Sequence, residues 1–228
     1  MKAFARKMIS SILLGAMLLP PAVIGAPTGT DKAPQSAAIK MPTAAELTAV
    51  KSTGVRQAPI TIEVFSDYQC PQCKNFFQET LHQLMDNYVS SGKVYFIHRD
   101  FPLSMHSHSR DAARWATAAA MVGHETFAAA EQVLYAKQDD WGSTGKVEEA
   151  LAGALSPTDM KKVRQIAATQ GAAIDAALAS DLALGDSRGV NGTPSIYVFH
   201  KGQMTPLPPG GVNYSLLKQY LDYLLQQR

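Results

Sequence analysis

The cysteines constrain this chain more than any other feature. There are two in 228 residues, Cys70 and Cys73, and two residues separate them. Directly upstream, Pro59-Ile60-Thr61-Ile62-Glu63-Val64-Phe65 alternates and is rich in β-branched residues, which predicts a strand. Ser66-Asp67-Tyr68-Gln69 is a short connection. Cys70-Pro71-Gln72-Cys73 then opens a helix, because Pro is favoured at the first helical position. Phe76, Phe77, Leu81, Leu84, Met85 and Tyr88 recur at helical spacing and give that helix one apolar face. Gly92 ends the unit, and Val94 to Ile97, within Lys93 to His98, predict a second strand. Strand, helix and strand with short joints make a βαβ unit, and hence a partly parallel sheet.

From about 107 to 189 the pattern is helical throughout, with four or five helices expected. Ala112, Ala113, Ala116, Ala119 and Ala120 form a small-residue face suited to close helix packing. Strands return at Ser195-Ile196-Tyr197-Val198-Phe199. Lys201-Gly202 predicts a hairpin turn into a short strand near Met204 to Leu207. Val212 to Leu225 forms a last amphipathic helix. A sheet interrupted by a helical insertion follows from this order, in the α/β class.

With 46% hydrophobic residues the chain can bury the core of one sizeable domain, or of one domain that carries an insertion. Its formal net charge is +2 with no basic face, which argues against a nucleic-acid partner. The N-terminus has the layout of a secretory signal peptide over residues 1–26. Lys2, Arg6 and Lys7 precede an apolar stretch, Pro20 and Pro21 break it, and Gly25 and Ala26 offer a cleavage site. An uncleaved membrane anchor is the alternative. Removing residues 1–26 takes away three positive charges and no acids, so +2 becomes −1. Residues 27–55 read as a flexible segment, with a short helix over 43–53 capped by Thr43 and Glu46. An exported chain normally uses cysteines as distant staples. Closing the short Cys70–Cys73 loop would add only about 2 kcal/mol at best, so a purely structural role is weakly motivated.

A helix N-terminus offers unpaired N–H groups and the positive end of the dipole, which favours a thiolate. The thiolate is the form that attacks a disulfide. Cys70 is therefore assigned the attack on substrate, and Cys73, one turn later and deeper, the resolution of the mixed disulfide. Pro71 stiffens the turn. Gln72 brings no charge, so it should stabilise the reduced form less than a histidine there. A structural zinc site needs four ligands, and His106 and His108 are spaced too closely to complete one. A Cu(I) site on the two thiolates is the rival reading. His82, His98, His124 and His200 read as surface or packing residues, and Trp115 and Trp141 as core.

The segment from Phe65 to Cys73 resembles the active-site segment of DsbA-like proteins with a thioredoxin fold. Val190-Asn191-Gly192-Thr193-Pro194 resembles that family's cis-proline loop before a strand. Asp100-Phe101-Pro102-Leu103, His106 and Ala112-Ala113 resemble the stretch that leads into its helical insertion. The likeness runs from about residue 56 to the C-terminus. It implies a thioredoxin-like core in two parts, 56–106 and 190–228, around an inserted helical domain at 107–189. It also implies a cis Pro194 beside the cysteines, with the Thr193 backbone free to pair with a client peptide as an added strand. Pro71, Gln72, Thr193 and Pro194 are then the substrate-binding residues, with no cofactor beyond the redox-active disulfide. Two departures stand out. Many relatives carry an acid where Val64 sits, and alternation sends Glu63 to the opposite face, which leaves the family's buried proton acceptor unassigned. Gln72 stands where the best-known oxidants have histidine. The resulting expectation is a monomeric, periplasmic thiol–disulfide oxidoreductase. It would act on cysteine-containing client proteins and be recycled by an integral-membrane redox partner. A reductase or isomerase on the same fold, or a non-catalytic Cu(I)-binding thiol protein, are the alternatives.

Overall fold

The computed structural model describes residues 42–227. The expected signal peptide and the first part of the 27–55 segment lie outside the described residues.

Five strands form one mixed sheet: β1 (Ser52–Thr53), β2 (Ile60–Ser66), β3 (Val94–Asp100), β4 (Ser195–His200) and β5 (Gln203–Pro206). Their order is β1-β3-β2-β4-β5. Only β2 and β3 run parallel, in a register that pairs Ile60 with Val94 and Ser66 with Asp100. Helix α2 links them across residues 71–89, as the βαβ pattern requires. It is π-helical over Phe76–Leu81 and Met85–Val89, and it buries Phe76, Phe77, Leu81, Leu84 and Tyr88. Each such side chain removed from water contributes roughly 1.5–3 kcal/mol. The β4–β5 turn has φ 48° at Lys201 and φ 77° at Gly202, the two positive angles that let a tight hairpin follow the twist of its strands.

Strand β2 has two buried faces. Ile62 and Val64 point into the main core under α2, while Phe65 joins Phe101, Val190 and Tyr197 in a smaller cluster on the other side. Six helices fill 109–187: α3 (Ser109–Val122), α4 (His124–Ala136), α5 (Gln138–Thr144), α6 (Val147–Ala152), α7 (Pro157–Thr169) and α8 (Gly171–Ser187). The predicted alanine face of α3 is fully buried. The last helix, α9 (Tyr214–Gln226), starts where the Asn213 side chain accepts from Leu216 N at 3.0 Å. The architecture is the expected α/β, thioredoxin-like one with a helical insertion.

One stretch departs from its expectation. Helix α1 (Ala44–Val50) carries the Thr43/Glu46 capping box, and Lys51 ends it on the sheet rather than in a flexible segment. The Lys51 ammonium is buried against Asp100, and Ser52 and Thr53 pair antiparallel with β3. Two polar residues too few to read as a strand are held there by the β3 edge.

Candidate functional site

The site lies at the ends of β2 and β3, where the chain turns from sheet into helix. Cys70 is the N-cap of α2, with φ −76° and ψ 122°, and Pro71 is its first residue. Cys70 is 6% exposed and Cys73 1% exposed, so the first sulfur is the shallower one. Both are free thiols. Pro71 and Gln72 face solvent. The Thr193–Pro194 peptide bond is cis. It brings the Thr193 carbonyl to 3.3 Å from Cys70 Sγ, across 123 residues of sequence. An open groove of about 190 Å³ starts at Gln72 and runs past Asn75, Phe76, Gly211 and Asn213.

The two sulfurs titrate in opposite directions. Cys70 is pulled down to about 5 by a hydrogen bond from the Cys73 thiol, against the opposing effect of burial. The Thr193 side chain and the N–H groups of Cys73 and Gln72 add to the effect. Cys73 is pushed well up, first by burial, then by its hydrogen bond to Cys70 and the charge there. The pair thus holds one negative charge on the outer sulfur and one proton on the inner one.

Distant polar residues hold the connection before Cys70. Asp67 is buried, and its carboxylate accepts from Gln69 N at 2.7 Å and Leu103 N at 2.9 Å and meets His106 Nδ1 at 2.7 Å. Gln138 Nε2, from α5, donates to the carbonyls of Tyr68 at 2.7 Å and Cys70 at 3.0 Å. Gln69 bridges Gly142 O at 2.9 Å and His108 N at 2.7 Å. Sequence reading missed Asp67, Gln69 and Gln138, because nothing local marks a glutamine as a clamp for a carbonyl about 70 residues away.

Glu63 sits on the Phe65 face of β2, as alternation predicts. There Arg99 Nε meets it at 2.6 Å and Arg188 pairs with its other oxygen. Of the two readings offered for His98, surface or packing, the structure takes packing and adds two carboxylate partners. His98 is 2% exposed, with Nδ1 2.7 Å from Glu131 and Nε2 3.2 Å from Asp100. Burial alone would lower its pKa, but the Glu131 and Asp100 charges outweigh burial and hold it up at about 9. Trp141 is core, its indole N–H donating to Leu134 O at 2.7 Å. Among the described residues no group of three or more His, Cys, Asp or Glu is placed to hold a metal ion.

A family model described as Thioredoxin matches residues 48–212. Among curated proteins, the Na(+)/H(+) antiporter NhaA 3 of Salinispora tropica is 30% identical over 147 residues, 64% of this chain and 21% of that protein. The chain therefore spans about a fifth of the length of the curated relative it matches, too little to carry that protein's activity across. Among the described residues no helix is long and apolar enough to cross a membrane. Among solved structures, oxidised BdbD from Bacillus subtilis aligns with TM-score 0.65 and 22% identity, over 77% of this chain and 92% of that one. A thioredoxin-like oxidoreductase from Silicibacter pomeroyi aligns with TM-score 0.61 and 25% identity, over 78% and 92%. DsbA2 from Pseudomonas aeruginosa aligns with TM-score 0.58 and 22% identity, over 78% and 95%.

Proposed function

Since the chain belongs to the thioredoxin family and has the fold of its DsbA-like members, we propose that it is an exported thiol–disulfide oxidoreductase that forms disulfides in folding proteins. Cys70 is the nucleophile, Cys73 the resolving thiol, and Pro71, Gln72, Thr193 and Pro194 shape the client site. One observation carries the reading: a stabilised thiolate at Cys70, beside Thr193 and Pro194, with a neutral buried thiol behind it.

The chemistry follows from that asymmetry. A client thiolate attacks Cys70 Sγ of the oxidised pair. The Cys70–Cys73 bond breaks, and Cys73 leaves with the electron pair and takes a proton. A second client thiolate then attacks the client sulfur of the mixed disulfide. The client disulfide forms and Cys70 leaves as thiolate, so two electrons have passed to the protein. A low-pKa sulfur is the better leaving group, so the second step runs forward. The 1–26 segment supports export to the periplasm, and the family likeness supports recycling by an integral-membrane redox partner.

Trapping tests this assignment. Cys73→Ser should attack a single-cysteine client peptide supplied as its glutathione mixed disulfide and accumulate a Cys70–peptide disulfide with release of glutathione, while Cys70→Ser should form none and oxidise no dithiol peptide. Peptide oxidation by Cys70→Ser at the wild-type rate would overturn the assignment. Faster reduction than oxidation of the same peptide would move the direction to a reductase.

A further inference from the structure

Cys73 must shed a proton each time it attacks and regain one each time it leaves, yet it is 1% exposed. Glu63, the carboxylate of its own neighbouring strand, faces the other side of the sheet and is held by two arginines. A proton route must therefore come from elsewhere.

Cys73 borders a small internal cavity. It offers about 10 Å³ to the centre of a water molecule, roughly one water site. Ser66, His98, Glu131 and Tyr135 are its polar walls. The Ser66 hydroxyl shares a 2.7 Å hydrogen bond with Tyr135 and favours the thiolate of Cys73. Apart from the His98 ring nitrogen at 2.7 Å, Glu131 Oε1 has no hydrogen-bonding partner. On its outer side Glu131 also lines an open groove of about 650 Å³, between α2 and α4, with His82 and His124 on its walls. Phe77, Leu81 and Glu131 border both the cavity and the groove. Of these, Glu131 alone can carry a proton.

We propose that Glu131, oriented by His98, is the proton acceptor for Cys73 and passes the proton to solvent through the groove between α2 and α4. The proposal rests on Cys70 and Cys73 acting as assigned above. In the step that closes the pair, Cys73 S–H gives its proton to the Glu131 carboxylate across the one-water cavity. The Cys73 thiolate attacks Cys70 Sγ, the bond from Cys70 to the client breaks, and the client sulfur leaves with the electron pair. In the reverse direction the Glu131 carboxyl returns the proton to Cys73. The charged and titratable groups around Glu131 are His98 and Asp100 from β3, Lys51 behind Asp100, Tyr68, Tyr135 and Cys73 on the inner side, and His82, Asp86 and His124 along the outer groove. On the inner side, His98 and Lys51 face Glu131 and Asp100, two cationic side chains against two carboxylates. The route leaves on residues none of which belongs to the client site, so a docked client would not block it.

Reduced protein reacting with glutathione disulfide separates the two steps. Acid quenching and mass spectrometry count the Cys70–glutathione adduct as it forms and as Cys73 resolves it. Glu131→Gln should slow resolution at pH 7 at least tenfold and make it proportional to hydroxide. Adduct formation, which involves Cys70 alone, should stay within twofold. Resolution at the wild-type rate, or slowed with an unchanged pH profile, overturns the proposal. A second measurement uses wild-type protein in case the variant misfolds. The oxidised-minus-reduced infrared difference spectrum, with Glu carboxyls isotopically labelled, should show a shifted Glu carboxylate band, and no Glu band overturns the proposal. If wild-type protein forms no adduct at all, the oxidoreductase reading itself fails. If it completes both steps and Glu131→Gln matches it, this inference alone fails.

Discussion

Cys70 and Cys73 lie within one helical turn, yet their environments sort them into a thiolate and a thiol. The sign of the resulting pH dependence is fixed. The Cys70 pKa in the folded protein is about 5, against an ordinary 9.0, so the stabilisation of its thiolate is complete above 9 and is lost as pH falls through about 5. The oxidised pair has no thiol to titrate. The melting temperature of the reduced form, relative to the oxidised form, should therefore rise from pH 4 to pH 7. Cys73 stays protonated across that window, folded or unfolded, and drops out. Alkylation of Cys70 by iodoacetamide should hold its rate from pH 8 to about 6 and halve near 5. A midpoint near 9 would contradict the site electrostatics. The cysteines, Pro71 and the Thr193-Pro194 loop were legible in sequence because turn chemistry and motif mark them. The polar clamps, Asp67, Gln69 and Gln138, were not, because their partners are carbonyls and N–H groups brought near only by folding.

At the scale of elements, the helical block and the sheet are joined through β3. Lys51, at the end of α1, meets Asp100 in a site where both are at most 3% exposed. Burial would raise the Asp100 carboxyl, but the Lys51 and His98 charges hold it well below the usual carboxylate range. Lys51→Met leaves that charge without its main partner and should cost about 3–5 kcal/mol, read by urea unfolding. A loss under 1 kcal/mol would show that the pair is replaceable. His98 has the opposite sign. Its contribution is full below its ordinary pKa of 6.5 and is lost as pH rises through about 9. Urea stability of the oxidised protein should accordingly fall between pH 6.5 and 9, and the fall should vanish in His98→Gln. Helix α8 meets the sheet at Gly185, where a Cβ would lie 2.4 Å from the Phe101 ring. Gly185→Ala should destabilise by roughly 1–3 kcal/mol by overpacking. Periodicity and β-branched runs found strands β2 to β4, the single apolar face found α2, and the Lys201-Gly202 turn found the exposed strand β5. Periodicity missed β1, which is polar and two residues long. It left His98 as a surface or packing residue because a lone histidine in a strand does not announce its carboxylate partners on other elements.

Over the whole molecule, the sheet and α2 place the sulfurs, and the helical block both clamps residues 67–70 and supplies Glu131. The order of elements made this architecture readable: strands at both ends of a helical run leave few topologies. The joint between block and site was not readable, since it consists of single hydrogen bonds spanning up to 73 residues, such as Gln69 to Gly142. The central claim is that Cys70 and Cys73 form one reversible redox pair whose reduced form is favoured by the Cys70 thiolate. The most direct measurement is the redox state of mature, metal-free protein across glutathione buffers. The account predicts one two-electron transition, with the pair more easily reduced than glutathione disulfide and a potential well above thioredoxin's about −270 mV. No reversible transition, or one at or below that value, would contradict it.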